Sequence, residues 1–319
     1  MTGSASTDEL VRLSGSIIQA GSKSFAAAAR LFDPETRASA YLLYAWCRHC
    51  DDVIDGQELG YGRRLQDDHD PIAELAKLRR QTSDALAGRP TTDPIFVALQ
   101  KVAHKHAIPA AYPLALLDGF EMDVEARCYE TIDDTLHYCY HVAGVVGIMM
   151  AIVMGARDQA TLDRANDLGL AFQLTNIARD VVDDANNGRI YLPADWLEAE
   201  EVTANTHGIE APANRKRVAA VVRRLMVEAE KYYSSSLAGL PKLDLRSAWA
   251  IATARTVYRR IGTEVVRRGP HAWDKRVSTS KVMKLSAVIA GAGVALYSSS
   301  VGKFSTPLPR HQLWTRPRV

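Results

Sequence analysis

Neither sign of charge dominates this sequence. Its 319 residues include 39 lysines and arginines against 37 aspartates and glutamates, a formal net charge of +2. A nearly neutral chain gives no electrostatic argument for binding nucleic acid. Because 47% of the residues are hydrophobic and 24% are charged, the chain can bury a core and is not expected to be disordered.

Cysteine is scarce as well. The four cysteines are Cys47, Cys50, Cys128 and Cys139. Cys47 and Cys50 have the spacing of half a zinc site, but the sequence contains no matching second pair. Residues 1–6 are polar and lack the apolar segment of a secretory signal. We therefore expect free thiols, mostly buried on helices, and a cytoplasmic location.

Long hydrophobic runs are missing, so the sequence predicts no helix that spans a bilayer. The longest late apolar stretch is Leu285–Leu296, which two glycines interrupt. Lysines flank it at positions 281, 284 and 303. We predict a terminal core helix here, with peripheral contact to a membrane surface as the alternative.

Alternating strand-like segments are also missing, and helical periodicity prevails. Proline and glycine separate helices predicted near 8–20, 35–56, 71–87, 93–106, 110–127, 132–155, 160–186, 213–238, 243–268 and 278–298. Asp33-Pro34 and Thr131 are typical of helix starts. No linker suggests a second domain, so we predict one all-α domain over 1–319. The N-terminus, the tract 56–70 and the tail after Phe304 are candidates for disorder.

Two aspartate clusters carry the chemical signal. They are Asp51-Asp52-Val53-Ile54-Asp55 and Asp180-Val181-Val182-Asp183-Asp184. Aspartates four residues apart lie one turn apart on the same helix face, where their charges repel. Carboxylates clustered without cysteine or histidine suit Mg²⁺ or Mn²⁺. The pattern predicts a diphosphate substrate held through such ions between two helices.

Each cluster has polar companions on the same predicted helix face. Tyr44 and Arg48 continue the first stripe, and Asp52 lies about 100° around the helix from it. Gln173 and Asn176 continue the second stripe on a helix that is otherwise apolar. Polar groups in such a position cost free energy unless a partner satisfies them. The companions therefore strengthen the prediction of a ligand between the two helices.

Two glycine-containing segments give weaker signals. Gly21-Ser22-Lys23-Ser24-Phe25 places a lysine between two hydroxyls, which suits phosphate but is not a P-loop. Gly144 and Gly147 fall inside a predicted helix, where each costs about 1 kcal/mol relative to alanine. They leave room either for a long apolar ligand or for a close neighbouring helix.

Several of these segments together resemble the squalene/phytoene synthase family. They are Gly-Ser-Lys-Ser-Phe (21–25), Tyr-Ala-Trp-Cys-Arg-His-Cys-Asp-Asp-Val-Ile-Asp (44–55), Tyr-x-x-x-Val-Ala-Gly-x-Val-Gly (138–147), Gln-Leu-Thr-Asn-Ile-Ala-Arg-Asp-Val-Val-Asp-Asp (173–184) and Arg-Ile-Tyr-Leu-Pro (189–193). The motifs occur in the family's order, and the resemblance covers about residues 14–285. Several motifs in the family's order identify the family more specifically than any single motif would.

The resemblance implies an all-α isoprenoid synthase fold around a central apolar cavity. It further implies head-to-head condensation of two geranylgeranyl diphosphate molecules through a cyclopropyl diphosphate to phytoene. Two or three Mg²⁺ or Mn²⁺ ions would bridge the diphosphates. The alternative within the family is a C30 dehydrosqualene synthase that uses farnesyl diphosphate. The nucleotide-binding glycine motif that would suggest NADPH is missing.

Roles for single positions follow from the same resemblance. The implied metal ligands are Asp51, Asp52, Asp55, Asn176, Asp180 and Asp184. The implied diphosphate-binding residues are Ser22, Lys23, Ser24, Arg48, Arg179 and Arg276. The implied catalytic residues are Tyr44, Arg48, Gln173, Arg179 and Tyr191. For the final proton acceptor, Tyr44, Tyr191 and the released diphosphate all stay open.

Other kinds of protein fit the sequence less well. A chain-elongating or cyclising synthase would show its aspartates in a different context. An HD-type phosphohydrolase would need His69-Asp70 in a better place than directly before Pro71. A di-iron protein would need Glu-x-x-His pairs, which the sequence lacks. A helical binding protein would have no need of the metal stripes.

Overall fold

A computed structural model describes residues 6–58, 61–63, 70–302, 309–310 and 312–318, except for the side chains of residues 23, 57–58 and 61–63. Its α-helices are α1 (Thr7–Gly21), α2 (Lys23–Ala29), α3 (Pro34–Asp55), α4 (Pro71–Leu86), α5 (Pro94–His106), α6 (Ala111–Val124), α7 (Ile132–Cys139), α8 (Val145–Val153), α9 (Gln159–Asn186), α10 (Ala194–Ala199), α11 (Thr206–Glu210), α12 (Arg215–Ser236), α13 (Leu245–Arg268) and α14 (Lys281–Ser300). A π-helical turn, Tyr140–Gly144, joins α7 to α8, and 3₁₀ turns cover Pro212–Asn214, Leu237–Lys242 and Gly269–His271. The predicted all-α class is confirmed.

Local sequence signals account for several helix starts. Asp33 accepts hydrogen bonds from the backbone N–H groups of residues 35 and 36, and Pro34 occupies the first turn of α3. Thr131 and Asp134 form a capping box at the start of α7. Each such cap is worth about 1 kcal/mol. Both predicted helix starts are therefore confirmed, and the first of them determines where the helix of the first aspartate cluster begins.

The structure differs from the sequence prediction where elements are short. The tract 56–70 contains two strands, β1 (Gln57–Glu58) and β2 (Tyr61–Arg63), paired antiparallel, and the rest of it beyond Gly56 and Asp70 lies outside the described residues. The predicted helix 132–155 is interrupted by the π turn. Helices α2, α10 and α11 were not predicted separately, because five to seven residues carry little periodic signal.

Helix α9 lies at the centre of the fold and packs against α8, α12 and α13. Its contact with α8 is close because glycines face backbone on both sides. A Cβ atom at Gly147 would lie 2.5 Å from the carbonyl oxygen of Ala165, and one at Gly169 would lie 2.4 Å from that of Ala143. The sequence left two reasons open for Gly144 and Gly147: room for a long apolar ligand or room for a close neighbouring helix. These contacts favour the neighbouring helix.

The C-terminal tail is ordered where the structure describes it, so the prediction of disorder after Phe304 is wrong for residues 309–310 and 312–318. Arg310 donates to both carboxylate oxygens of Asp167, at 2.7 and 2.9 Å. The buried Arg316 donates to Asp163 at 2.8 Å. Breaking one partner of such a buried pair typically costs about 3–5 kcal/mol. The acidic partners lie on α9, and local sequence could not show that they would face the tail.

Two helical stretches among the described residues could cross a membrane by length and composition alone: Ile132–Val153 and Lys281–Ser300. The first is 72% buried and belongs to the core, whereas the second is only 22% buried. By length and composition alone, the expectation that no segment is long enough to span a bilayer is therefore wrong for both stretches. Helix α14 was predicted to be a core helix, and this is confirmed only for the face that carries Ala287, Gly291 and Ala295. The single-domain prediction over 1–319 stays a prediction.

Replacing Gly147 with alanine should destabilise the fold. The added methyl group would meet the α9 backbone, which cannot move aside as a flexible side chain would. We expect a loss of about 1–3 kcal/mol, measured as a lower melting temperature. Gly293→Ala is the matched control, because no atom lies within 4 Å of its added Cβ. Equal melting temperatures for both variants would contradict the close packing of α8 on α9.

Candidate active site

A large cavity of about 1200 Å³ lies among α3, α6, α8, α9 and α13. Helix α9 forms one wall along the whole length of the cavity, with lining residues from Thr161 to Asp184. The rise of an α-helix makes that span about 35 Å. One end is polar and carries both aspartate clusters, and the walls beyond it are largely apolar, including Leu116, Val146 and Leu168.

The first aspartate cluster lies at the C-terminal end of α3. Asp51 and Asp55 line the cavity, as their shared helix face predicts. Asp52 points elsewhere, accepting hydrogen bonds from Arg48 Nε at 3.0 Å and Nη2 at 2.7 Å. Arg48 also lies 3.1 Å from Asp51. Asp52 thus orients Arg48. The role of Asp52 as a metal ligand stays a prediction.

The second cluster lies at the C-terminal end of α9, and both of its predicted ligands line the cavity. Arg276 donates to Asp180 through Nε at 2.9 Å and Nη2 at 2.8 Å, and Arg179 donates through Nε at 2.8 Å. Trp273 holds the segment of Arg276 against α9 by donating to the Ala178 carbonyl at 3.1 Å. Asp180 therefore has two arginines that a diphosphate could also bind.

The pKa values at the two clusters show how crowded the negative charge is. Burial, followed by the charge of Asp55, raises the pKa of Asp51 to about 7. Burial and Asp180 raise the pKa of Asp184 well above its usual range. Burial also opposes ionisation of Asp180, but its two arginines more than compensate and lower its pKa. Additional positive charge in the cavity would stabilise the ionised clusters.

One arginine that the sequence reasoning did not select connects the two cluster helices. Arg189 follows α9 and donates to Asp55 on α3, with Nη2 2.7 Å from Oδ1. Both side chains are largely buried, with 27% and 20% exposure. The sequence signal that could have identified Arg189 was its place in the Arg-Ile-Tyr-Leu-Pro motif, two residues before Tyr191. This ion pair joins the end of α3 to the segment that follows α9 at the polar end of the cavity.

The donor set fits a hard divalent cation. Asp51, Asp55, Asp180 and Asp184 bring carboxylate oxygens to the cavity, and Asn176 adds an amide. Among the described residues, no three carboxylates, imidazoles or thiols converge on one point to form a ready-made metal cage. Mg²⁺ commonly binds through one or two carboxylates together with substrate phosphates. The arrangement is therefore compatible with metal that binds with the diphosphate.

The remaining companions of the aspartates also line the cavity. Gln173 and Asn176 line the cavity in the same row as the second cluster, and the Asn176 amide donates to Gln173 Oε1 at 3.2 Å. Tyr44 lines the opposite wall and stacks on Phe25, with 5.6 Å between ring centroids. A Cβ at Gly21 would lie 2.7 Å from the Tyr44 hydroxyl. The glycine of the Gly-Ser-Lys-Ser-Phe segment thus makes room for Tyr44.

The predicted phosphate-binding segment is only partly at the cavity. Ser22 lines it, while its hydroxyl caps α2 by accepting from the Phe25 N–H at 3.3 Å. Ser24 does not line it and lies 3.5 Å from the Thr279 hydroxyl. Lys23 begins α2, but its side chain lies outside the described residues. Contact of Lys23 and Ser24 with diphosphate stays a prediction.

An aspartate on α6 was also missed by the sequence reasoning. Asp123 accepts hydrogen bonds from Tyr191 at 2.7 Å and from Tyr138 at 3.0 Å. The two rings stack at 4.6 Å. Burial raises the pKa of Asp123 to about 6, against the effects of Arg189 and both tyrosines. Asp123 is one of three acidic residues on α6, with Asp118 and Glu121, and the sequence does not distinguish it from them. Only the fold shows that it positions the predicted catalytic Tyr191.

None of the four cysteines belongs to a cluster of three or more potential metal ligands among the described residues. All four are free thiols, with Cys50 and Cys139 buried, Cys47 half-buried and Cys128 exposed. Cys47 lines the cavity, where burial raises the pKa of its thiol to about 12. The prediction of cysteines on helices is thus confirmed for Cys47, Cys50 and Cys139, whereas Cys128 is exposed and lies between α6 and α7.

Comparison with known proteins places this chain in a family. Residues 18–283 match the family model for squalene/phytoene synthase. That match covers the two aspartate clusters, Tyr191 and Arg276. The chain belongs to the squalene/phytoene synthase family, a class of isoprenoid synthases whose fold agrees with the helices and cavity described above.

Among individual relatives, the chain is 55% identical to the 15-cis-phytoene synthase of Pantoea ananas, over 93% of this chain and 94% of the relative. It is 49% identical to the 15-cis-phytoene synthase of a Paracoccus species, over 97% of this chain and 98% of the relative. Among solved structures, a dehydrosqualene synthase in complex with ligand superposes with a TM-score of 0.80 at 30% identity, over 92% of this chain and 98% of that one. These proteins are relatives over nearly the whole chain.

Replacing Asp123 with asparagine should lower enzymatic turnover. An asparagine offers one acceptor oxygen in place of two, so Tyr191 or Tyr138 would lose its hydrogen bond. The unpaired hydroxyl would cost about 1–3 kcal/mol of stability, and we expect turnover to fall roughly tenfold because Tyr191 is less well oriented. Melting temperature and steady-state kinetics would be measured together.

Asp195→Asn is a suitable control, because Asp195 is an exposed aspartate on α10. Unchanged kinetics of Asp123→Asn in folded protein would contradict a positioning role for Asp123.

Proposed function

We propose that this protein is a metal-dependent prenyltransferase of the phytoene synthase type. It joins two molecules of geranylgeranyl diphosphate head to head and releases two diphosphates and two protons to form phytoene. The observation that carries this proposal is the pair of aspartate clusters facing one end of a long apolar cavity. The curated phytoene synthases that share half of the sequence support the same reaction.

The polar end of the cavity is suited to holding diphosphate. Arg48, Arg179 and Arg276 line it and carry positive charge beside the aspartates. When bound, Mg²⁺ or Mn²⁺ would neutralise the leaving diphosphate and so favour departure of an allylic cation. Asp51, Asp55, Asn176, Asp180 and Asp184 are the residues that would hold these ions. The arginines would add donors that match the phosphate oxygens in geometry.

The apolar walls would protect the cationic intermediates. Water would quench an allylic or cyclopropylcarbinyl cation, and a cavity lined by aliphatic side chains excludes water from the reacting carbons. Phe172 and Tyr258 stack at 4.2 Å on this wall, where their faces can stabilise positive charge. Gln173 lies beside them. Tyr44, Tyr191 and released diphosphate remain the candidate proton acceptors.

The length of the cavity supports a C20 substrate over a C15 one. Asp180 and Arg164 both line it and are separated by about 24 Å of helix. At that distance Gly239 faces α9, and a Cβ added to it would lie 2.9 Å from Arg164 Cβ. The absent side chain lets the turn that carries Gly239 pack closely on α9, and Gly239 itself lines the cavity there. The C30 reaction from farnesyl diphosphate would leave this deep part of the cavity unfilled.

The deciding experiment is mass spectrometry of the products formed from geranylgeranyl diphosphate and Mg²⁺ by purified protein without NADPH. We expect a C40 hydrocarbon and a loss of turnover when the metal is chelated. Farnesyl diphosphate is supplied in parallel. A C30 hydrocarbon alone would retain the chemistry and overturn the chain-length assignment.

A variant tests the aspartate assignment in the same assay. Asp180→Asn should abolish most turnover and keep the helical fold, while Asp195→Asn should behave like the wild type. Full turnover of Asp180→Asn, or turnover without divalent metal, would refute the metal-dependent mechanism.

Gly239→Leu should shorten the usable cavity. Its side chain has no free room beside Arg164, because the added Cβ would lie 2.9 Å from Arg164 Cβ, so it could be accommodated only by shifting toward the cavity that Gly239 lines. We expect C40 formation to fall by about tenfold or more, while any C30 formation from farnesyl diphosphate changes less. The ratio of C40 to C30 product is the measurement. An equal loss of both products in folded protein would show that Gly239 does not select length.

The cellular location is part of this proposal. We place the enzyme in the cytoplasm, with peripheral contact to a membrane, because its hydrocarbon product is insoluble in water. Nucleic acid has no part in the reaction.

A further inference from the structure

Helix α14 carries a row of exposed hydrophobic side chains along its outer face. Val282, Leu285, Ile289, Leu296 and Tyr297 are between 59% and 77% exposed. The first four are spaced so that they share one side of the helix. The sequence has no charged residue between positions 285 and 302. An exposed apolar surface of this extent on a soluble protein usually marks a place of interaction.

The inner face of the same helix is held firmly on α13. Arg260 donates to the Met283 carbonyl at 3.1 Å and to the Ser286 hydroxyl at 2.7 Å. Trp249 donates to the Val288 carbonyl at 2.8 Å. These side chains pin α14 at its N-terminal half, so its outer face is exposed because of how it packs. A helix with one face on protein can lie on a bilayer but cannot be surrounded by lipid.

The C-terminal end of α14 lies next to the apolar end of the cavity. A Cβ atom at Gly302 would lie 3.4 Å from Pro241 of the 3₁₀ turn Leu237–Lys242. The same turn contributes Gly239 and Leu240 to the cavity wall, and Leu243 follows it there. The exposed face is therefore close to the end of the cavity opposite the aspartates.

We propose that the outer face of α14 is a docking surface for an anionic lipid bilayer. The aliphatic row would enter the boundary between headgroups and acyl chains, and the exposed Lys281 at its N-terminal end would attract anionic headgroups. No acidic residue occurs between positions 281 and 302 to oppose that attraction. The inference rests on the proposed function in one respect: a hydrocarbon product would leave the apolar end of the cavity beside lipid.

Binding of the full-length protein to vesicles tests this surface without substrate. Vesicles of phosphatidylcholine alone and of phosphatidylcholine with phosphatidylglycerol are incubated with the protein and floated on a gradient. We expect binding to the mixed vesicles. Ile289→Asp, and the double variant Leu285→Asp with Ile289→Asp, should each weaken it at least about tenfold. Lys281→Gln should weaken the preference for phosphatidylglycerol about fivefold.

The matched control is Val227→Asp, the same change at a valine on α12 that is 63% exposed. It should bind vesicles like the wild type, and all variants should keep the helical circular dichroism. Absence of vesicle binding, or equal binding by Ile289→Asp, would overturn the proposal. So would a wild-type dimer in light scattering that Ile289→Asp dissociates, because a second copy would then cover the face. Vesicle binding by a protein that makes no hydrocarbon would refute only the proposed function.

Discussion

Mutual repulsion among carboxylates at one end of the cavity is the constraint on which the site depends. Asp51 and Asp55 on α3 and Asp180 and Asp184 on α9 bring negative charge into a partly buried space. Such a cluster persists only if positive charge compensates it. Arginines supply part of that charge, and the raised pKa values of Asp51 and Asp184 show that more would be favourable. A diphosphate that arrives with divalent cations satisfies this requirement.

Apolar surface has two separate roles in this molecule. Inside, apolar surface lines the cavity along α9, from the aspartates back to Arg164. This surface would shield reactive cations from water. Outside, apolar surface covers the free side of α14. The 3₁₀ turn between α12 and α13 connects them, because Leu240 faces the cavity while Pro241 contacts the end of α14. A path for an insoluble product from site to lipid would follow this turn.

Much of the fold and part of the site could be predicted from local sequence. The long helices, the Asp33-Pro34 start of α3 and the two aspartate stripes all follow from spacing along one helix. Asp123 and Arg189 escaped prediction because their partners are distant in sequence, on α3 and in the segment 138–191. The ordered tail was missed for the same reason, since Asp167 gives no local sign that Arg310 will pair with it.

The sequence by itself determined which residues share a helix face, because helix geometry converts spacing of three and four residues into direction. It therefore determined the two carboxylate stripes and, through its motifs, the family. Only the tertiary structure decided that both stripes open into one cavity, that Arg189 pairs with Asp55, and that α14 leaves one face uncovered. Those outcomes depend on how helices pack against each other, and packing sums contacts between residues far apart in the chain.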